Sequence, residues 1–323
     1  MKLYPIKFEP ILVSKIWGGT QLSDLLRKLG KENNLGESWE ISAIEGHESI
    51  VCNGPLKGTT IVELIEQYGE RVLGQHVIDK CGKHFPLLIK YIDAADDLSI
   101  QVHPNDALAW KKHQSKGKTE MWYVLKAQGD ARLLSGFKGN VDAETIRQAI
   151  DAGSFTNLMN SIKVDEGSTF FIPAGRVHAI GKGILLAEIQ QSSDITYRLY
   201  DYNRIDKNGK KRDLHIEDSL EAINYKDVES GRVDYAIGKN GSATLVKCPY
   251  FQTNILEIKG QTTKSYTDID SFVILMNVSG EAQISTSGGD VSLRYGETIL
   301  IPGEIKDITI YSNSAKLLEV YIP

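Results

Sequence analysis

The sequence predicts a mainly β protein made of two tandem antiparallel jelly rolls, with a small helical insert in the first. Three observations predict this. Short stretches of alternating apolar and polar residues, separated by Gly, Pro and Asn turns, fill most of the chain. A weak internal repeat aligns Glu120-MWYVLKAQGDARL with Ser271-FVILMNVSGEAQI so that Gly129 meets Gly280, then GSTFFIPAG (Gly167 to Gly175) with GETILIPG (Gly296 to Gly303). Regular strand and helix alternation, which a parallel doubly wound sheet would need, is missing.

The elements follow in order. Leu22, Leu25, Leu26 and Leu29 share one helical face, and Gly30 stands where a left-handed helix stop is expected. Thr60 with Glu63 three residues later forms a capping box that opens a second helix. In Leu98-SIQVHP, apolar Leu98, Ile100 and Val102 alternate with Ser99, Gln101 and His103, so one strand would turn the three polar side chains to one face. Asn105 caps a helix over Asp106 to His113, Glu120 opens the strand EMWYVL, and Asp142 to Ala152 is a further helix. Gly129 and Pro173 lie 44 residues apart, against 22 for Gly280 and Pro302, and the helical insert at about 141 to 162 accounts for the difference. The turn-rich GKNGSA near residue 240 divides the chain into a domain of residues 1–240 and one of residues 241–323.

Composition narrows the function classes. The chain has 323 residues, 41% hydrophobic and 24% charged, which is a globular composition. A net charge of -5 with dispersed Lys and Arg argues against nucleic acid as a partner. Glu9 and Lys15 interrupt the early apolar stretch, so neither a signal peptide nor a membrane span is expected, and the expected location is cytoplasmic. Cys52, Cys81 and Cys248 form no C-x-x-C pair and read as reduced structural cysteines. Any metal is therefore to be held by imidazole and oxygen.

Four residues fit that requirement. A jelly roll can bring together Gln101 and His103 from one strand, Glu120 from the next and His178 after the FIPAG run. Two imidazoles, a carboxylate and an amide oxygen suit zinc, and other divalent first-row metals too. The repeat sharpens the choice: the second copy keeps the turn residues but has Ser271 at the position of Glu120 and Asp307 at that of His178. The C-terminal copy is therefore expected to be metal-free. His47, His76, His84, His113 and His215 fall outside these motifs and read as surface or structural, and Gly181 and Gly183 read as a tight turn.

The pattern G-x5-P-x-G-x2-H, formed by Gly167, Pro173, Gly175 and His178, resembles the second motif of the cupin jelly rolls. More closely, KIWGG, LSIQVHPND, GKTEMWYVL, FFIPAGRVHAIGKG and EIQQSSDITYRLYDYNR resemble the motifs of type I phosphomannose isomerases in their short bacterial form. They span most of the first 205 residues. That resemblance implies two tandem cupins, one zinc ion on Gln101, His103, Glu120 and His178, an active-site arginine at Arg198, and supporting polar residues Ser99, Lys118, Glu188 and Asp194. It also implies interconversion of mannose 6-phosphate and fructose 6-phosphate.

This reaction moves a carbon-bound proton next to a carbonyl through an enediol. A divalent ion can polarise the sugar oxygens and a positioned base can move the proton. Glu188 is the first candidate base, with Lys118 as proton donor or electrostatic partner. Asp194, Thr196 and Arg198 would share a strand face, with Arg198 suited to phosphate or enediolate. Lys90 reads equally as a phosphate contact or a structural lysine. Two alternatives stand beside the isomerase: a cupin oxygenase with ferrous iron on two histidines and a carboxylate, and a non-enzymatic sugar-binding regulatory cupin. Nothing in the sequence speaks to oligomeric state.

Overall fold

The computed structural model describes residues 1–323 apart from 33, 206–208 and 240. Two antiparallel sheets form the N-terminal jelly roll. The larger runs in the order Ile11–Gly19, Leu35–Ile41, Leu87–Ala94, Ile184–Gln191, Glu120–Ala127, Thr169–Ile172, Arg232–Val233. The smaller runs Tyr197–Tyr200, Ile100–Val102, His178–Ile180, Arg132–Phe137, Met159–Lys163. Alternation along each strand assigns the faces. Trp122 and Val124 enter the space between the sheets with Leu133, Ile180 and Leu186, while Met121 and Tyr123 point outward. Helices Asp106–His113, Ala143–Asp151 and Ile216–Ala222 cover the outer face of the smaller sheet through Leu108, Ile146 and Leu220.

The C-terminal jelly roll runs Ser242–Lys247, Gln252–Ser265, Asp307–Tyr321, Val273–Gly280, Thr298–Ile301, with the hairpin Ala282–Thr286 and Gly289–Leu293 paired to the long strand Asp307–Tyr321. Its inner core is aliphatic, built from Leu275, Ile284, Ile299, Ile308 and Leu317. Phe272, Ile274 and Met276 instead join Met121, Tyr123 and Ile189 in one large cluster, so the two jelly rolls stand back to back across a shared apolar layer.

Both repeat copies are present, each with a left-handed Gly ahead of the G-x5-P strand: Gly167 at φ +85 and Gly296 at φ +80. Their registers differ. Thr169 pairs Tyr123, but Thr298 pairs Met276, two residues further along than the sequence alignment implies. A shift of two keeps every side chain on its face.

Several local expectations hold. Thr60 and Glu63 make the full capping box, and Asn105 and Asp142 cap their helices through Leu108 and Thr145. Others are corrected. The first helix is a single turn, Gln21–Asp24; the chain leaves it with Arg27 at φ +57 rather than at Gly30, and Leu29 is 84% exposed. The reason lies at Lys28, whose buried ammonium reaches Glu40 at 2.8 Å and turns the chain inward. The insert is helical only over Ala143–Asp151 and Phe155–Leu158; it ends in the strand Met159–Lys163, which completes the smaller sheet. The Leu98 to His103 alternation also breaks: Leu98 packs between the sheets, whereas Ile100 and Val102 pack outside, so the regular strand starts at Ile100. All three cysteines are free, and no helix among the described residues is long and apolar enough to cross a membrane. The turn near residue 240 lies partly outside the described residues; Gly241 follows at φ +71 and Ser242 opens the C-terminal sheet.

Candidate metal centre and active site

His103, Glu120 and His178 meet inside the N-terminal jelly roll, with ligand atoms within 4.8 Å of one another. Glu120 comes from the larger sheet and His178 from the smaller one, with His103 just past Ile100–Val102, so the cluster bridges the two sheets. Glu120 Oε2 lies 3.4 Å from His103 Nε2, and Glu120 Oε1 3.4 Å from His178 Nε2. All three side chains are buried, and among the described residues His103 Nε2 and both Glu120 oxygens have no hydrogen-bond partner. Buried polar atoms left without partners are costly, and three converging on one point fit a cation.

The backbone prepares the imidazoles for this. His103 Nδ1 is 3.0 Å from the Ile195 carbonyl and His178 Nδ1 is 2.9 Å from the Arg176 carbonyl. A carbonyl only accepts, so each Nδ1 carries the proton and each Nε2 offers a lone pair. Burial, reinforced by the Lys118 ammonium, depresses His103 to about 3, and burial likewise lowers His178. Burial alone would raise Glu120, but the Lys118 ammonium, with Nζ 3.5 Å from Oε2, holds its carboxyl well below the usual carboxylate range. Neutral imidazoles beside an ionised carboxylate are the protonation states a divalent ion requires.

Gln101 and Arg198 lie beside this cluster. Across the smaller sheet Arg198 pairs Gln101, Gln101 pairs His178 and His178 pairs Ser135, so these side chains share the inner face. Gln101 Nε2 is 3.3 Å from His178 Nε2, and the same carboxamide carries an acceptor oxygen. Arg198 donates to the Asp213 carbonyl at 2.7 Å, while its buried Nε has no hydrogen-bond partner among the described residues; burial lowers its pKa, but the guanidinium remains charged.

Glu188 lies one pair deeper, in a charged ladder across the larger sheet. Trp122, Glu188, Lys90 and Trp39 are successive cross-strand neighbours. Trp122 Nε1 donates to Glu188 Oε1 at 3.0 Å, and Lys90 Nζ lies 3.0 Å from Glu188 Oε2 and 3.8 Å from Glu37 Oε2. Burial would raise Glu37, but Lys90 and Lys15 bring it down to about 2; burial would lower Lys90, but Glu188 and Glu37 carry it above its ordinary value. Glu37 and Trp39 escaped the sequence reading. Their signal was the charged and aromatic alternation of GESWEI, a strand buried on both faces. The two readings of Lys90 resolve toward a buried ion-pair centre.

Ser99 is buried in the short connection ahead of the strand that starts at Ile100. Asp194 departs from the expected strand face: the strand starts at Tyr197, and Asp194 stands exposed on the preceding loop, lining a separate groove with Asp106, Lys116, Gln191 and Tyr250. His103 draws its carbonyl partner from Ile195, and this bond spends the loop on the metal cluster rather than on a strand.

Two tandem cupins, one with a buried His, Glu, His cradle flanked by Gln and Lys, define a bicupin with a candidate metal centre. Comparison with known proteins specifies it further. Residues 6–137 match phosphomannose isomerase type I, catalytic domain, and residues 241–322 match mannose-6-phosphate isomerase, cupin domain. The chain is 36% identical to mannose-6-phosphate isomerase ManA of Bacillus subtilis, covering 95% of this chain and 96% of that protein. It is 35% identical to mannose-6-phosphate isomerase of Streptococcus mutans, covering 94% and 93%. The crystal structure of mannose 6-phosphate isomerase from Bacillus subtilis superposes with a TM-score of 0.89 at 33% identity, over 99% of this chain and 100% of that one. The chain belongs to the type I phosphomannose isomerase family.

Proposed function

We propose that this chain is a zinc-dependent mannose-6-phosphate isomerase acting in the cytoplasm, with chemistry confined to a unit of residues 1–240 and a metal-free unit of residues 241–323. The observation that carries the reading is the convergence of three buried atoms without a hydrogen-bond partner, on His103 and Glu120, beside His178. His103, Glu120, His178 and Gln101 would hold the ion, which supplies a positive centre that polarises the sugar's carbonyl and hydroxyl oxygens.

The remaining work falls to the chain. The proton leaves C2 of the aldose as O1 takes one up, which gives the enediol; C1 then accepts a proton as O2 gives one up, which leaves the ketose. Glu188 is the base in this reading: Trp122 fixes Oε1, and Oε2 shares the Lys90 ammonium. Lys118 keeps Glu120 ionised and adds positive charge where the enediolate develops. Arg198, with one Nε unspent, takes the phosphate or the enediolate oxygen, and Ser99 supports the same pole.

An isomerase assay on metal-free and zinc-reconstituted protein tests this. Turnover of mannose 6-phosphate that appears only on reconstitution, and persists without oxygen, is the expected result. Metal-loaded protein that binds a hexose phosphate without turnover would replace the enzyme with a regulatory sugar-binding cupin, and a requirement for oxygen would replace it with an oxygenase.

A further inference from the structure

The residue two positions before His178 is tied to a distant segment in a way the reaction does not require. Arg176 is only 6% exposed, yet it carries a full charge. Its Nε and Nη2 donate to the two Asp227 oxygens at 2.6 and 2.8 Å, and its Nη1 donates to the Phe171 carbonyl at 2.8 Å. Meanwhile its own carbonyl accepts from His178 Nδ1. Three backbone bonds reinforce the connection: Asn224 N donates to the Gly175 carbonyl at 2.9 Å, Phe171 N to the Gly231 carbonyl at 2.8 Å, and Gly175 N to the His103 carbonyl at 2.9 Å. Gly231 sits at φ +72, and a Cβ there would stand 2.1 Å from Arg176 Nη1. The segment 224–231 therefore closes around the turn that carries His178, and that turn is bonded to the backbone of His103.

We propose that Arg176 and Asp227 are positioning residues for the metal centre: their bidentate pair fixes the carbonyl that orients the His178 imidazole, and so sets the affinity for the divalent ion. A planar fork against a carboxylate fixes direction as well as distance, which a lone point charge cannot do. A carbonyl held on one side by this fork and by Asn224 through its neighbour cannot swing, so His178 presents Nε2 toward Glu120 before any ion arrives. Outer partners of this kind alter metal affinity by about 10- to 100-fold when removed. The inference rests on the reading that His178 holds the metal.

Zinc affinity of the full chain, measured by competition with a chromophoric chelator, tests it, alongside thermal unfolding of the metal-free protein. His178→Ala is the control: retention of wild-type affinity there refutes the reading of the site itself. With that control passing, Arg176→Met and Asp227→Asn should each weaken zinc binding about 10-fold or more. A single change strands a buried charge and can prevent folding. The double variant R176M/D227L leaves none unpaired, and it should fold with metal-free stability close to that of the wild type while showing the same loss of affinity. Zinc affinity within about threefold of wild type in the folded double variant overturns the proposal, as does a loss of metal-free stability with affinity unchanged, because the pair would then be structural only.

Discussion

Lowering the pH from 7.5 to 5.0 should destabilise the metal-free protein through His103 in particular. The folded environment depresses this imidazole to about 3, through burial first and Lys118 second, so it stays neutral across the whole interval. In the unfolded chain it titrates near its ordinary value of 6.5. Below that value the unfolded state takes up a proton that the folded state refuses, so stability is complete above 6.5 and drains as the pH falls. At about 1.4 kcal/mol per pH unit, the loss through His103 alone amounts to about 2 kcal/mol by pH 5.0. His178, shifted the same way, adds to it. Urea unfolding at the two pH values measures the loss, and His103→Gln, which cannot titrate, isolates it. The variant should lose about 2 kcal/mol less than the wild type over the same interval. Equal losses, with unchanged urea slopes, would refute the argument that the fold holds this imidazole neutral. The same state predicts that zinc binding at pH 6 displaces no proton from His103, which calorimetry in two buffers of different ionisation heat can read.

Arg198→Ala should lower turnover while leaving zinc content intact; one charge-assisted contact of about 1.5 to 3 kcal/mol corresponds to a loss of about 10- to 150-fold in kcat/KM. Loss of zinc there would place Arg198 in the metal cradle instead. Lys90→Met leaves Glu188 buried without its cation and Glu37 with Lys15 alone, and urea unfolding should show a loss of about 3 to 5 kcal/mol at pH 7. In the second jelly roll Tyr266 donates to Glu319 Oε1 at 2.9 Å, and Tyr266→Phe should cost about 1 to 2 kcal/mol of stability with kcat/KM unchanged. Phe272→Ala opens a void in the shared layer against Phe85, at a ring separation of 5.0 Å, and should cost about 3 to 5 kcal/mol in a single unfolding transition. Separate transitions for the two halves would show that the shared layer does not couple them.

Much of the fold was legible because the repeat is carried by turn chemistry. Gly167 and Gly296 need left-handed backbone, and Thr60, Asn105 and Asp142 need only their own side chains to cap a helix. Such signals are local, and a sequence states them directly. His103, Glu120 and His178 were legible for a related reason: each sits at an end of a strand whose phase the neighbouring apolar residues fix. The failures came where distant partners override local pattern. Leu22 to Leu29 reads as a helix until Lys28 finds Glu40, and Asp194 reads as strand until the Ile195 carbonyl is claimed by His103. Glu37 was invisible for the opposite reason. A lone carboxylate in a strand has no local meaning, and only the register with Leu87–Ala94 sets it beside Lys90.

The two jelly rolls also divide the energetics between them. The N-terminal interior buries Glu37, Lys90, Glu188, Lys118 and Glu120, and desolvating that many charges is unfavourable even when they pair. The C-terminal interior has the opposite character: Ile284, Ile299, Ile308 and Leu317 fill it, and the buried carboxylate of Glu319 is met by Tyr266, Asn254 and Lys264. Between them, Met121, Tyr123 and Ile189 rest on Ile274, Met276 and Leu318. The strands that present Glu120 and Glu188 inward are thus the ones that turn apolar side chains outward onto the second unit. Alternation makes this inevitable: a strand with a charged inner face can gain hydrophobic stabilisation only from its other face. A barrel with this many charges inside gains hydrophobic stabilisation from a partner across its back, and the C-terminal cupin supplies that surface.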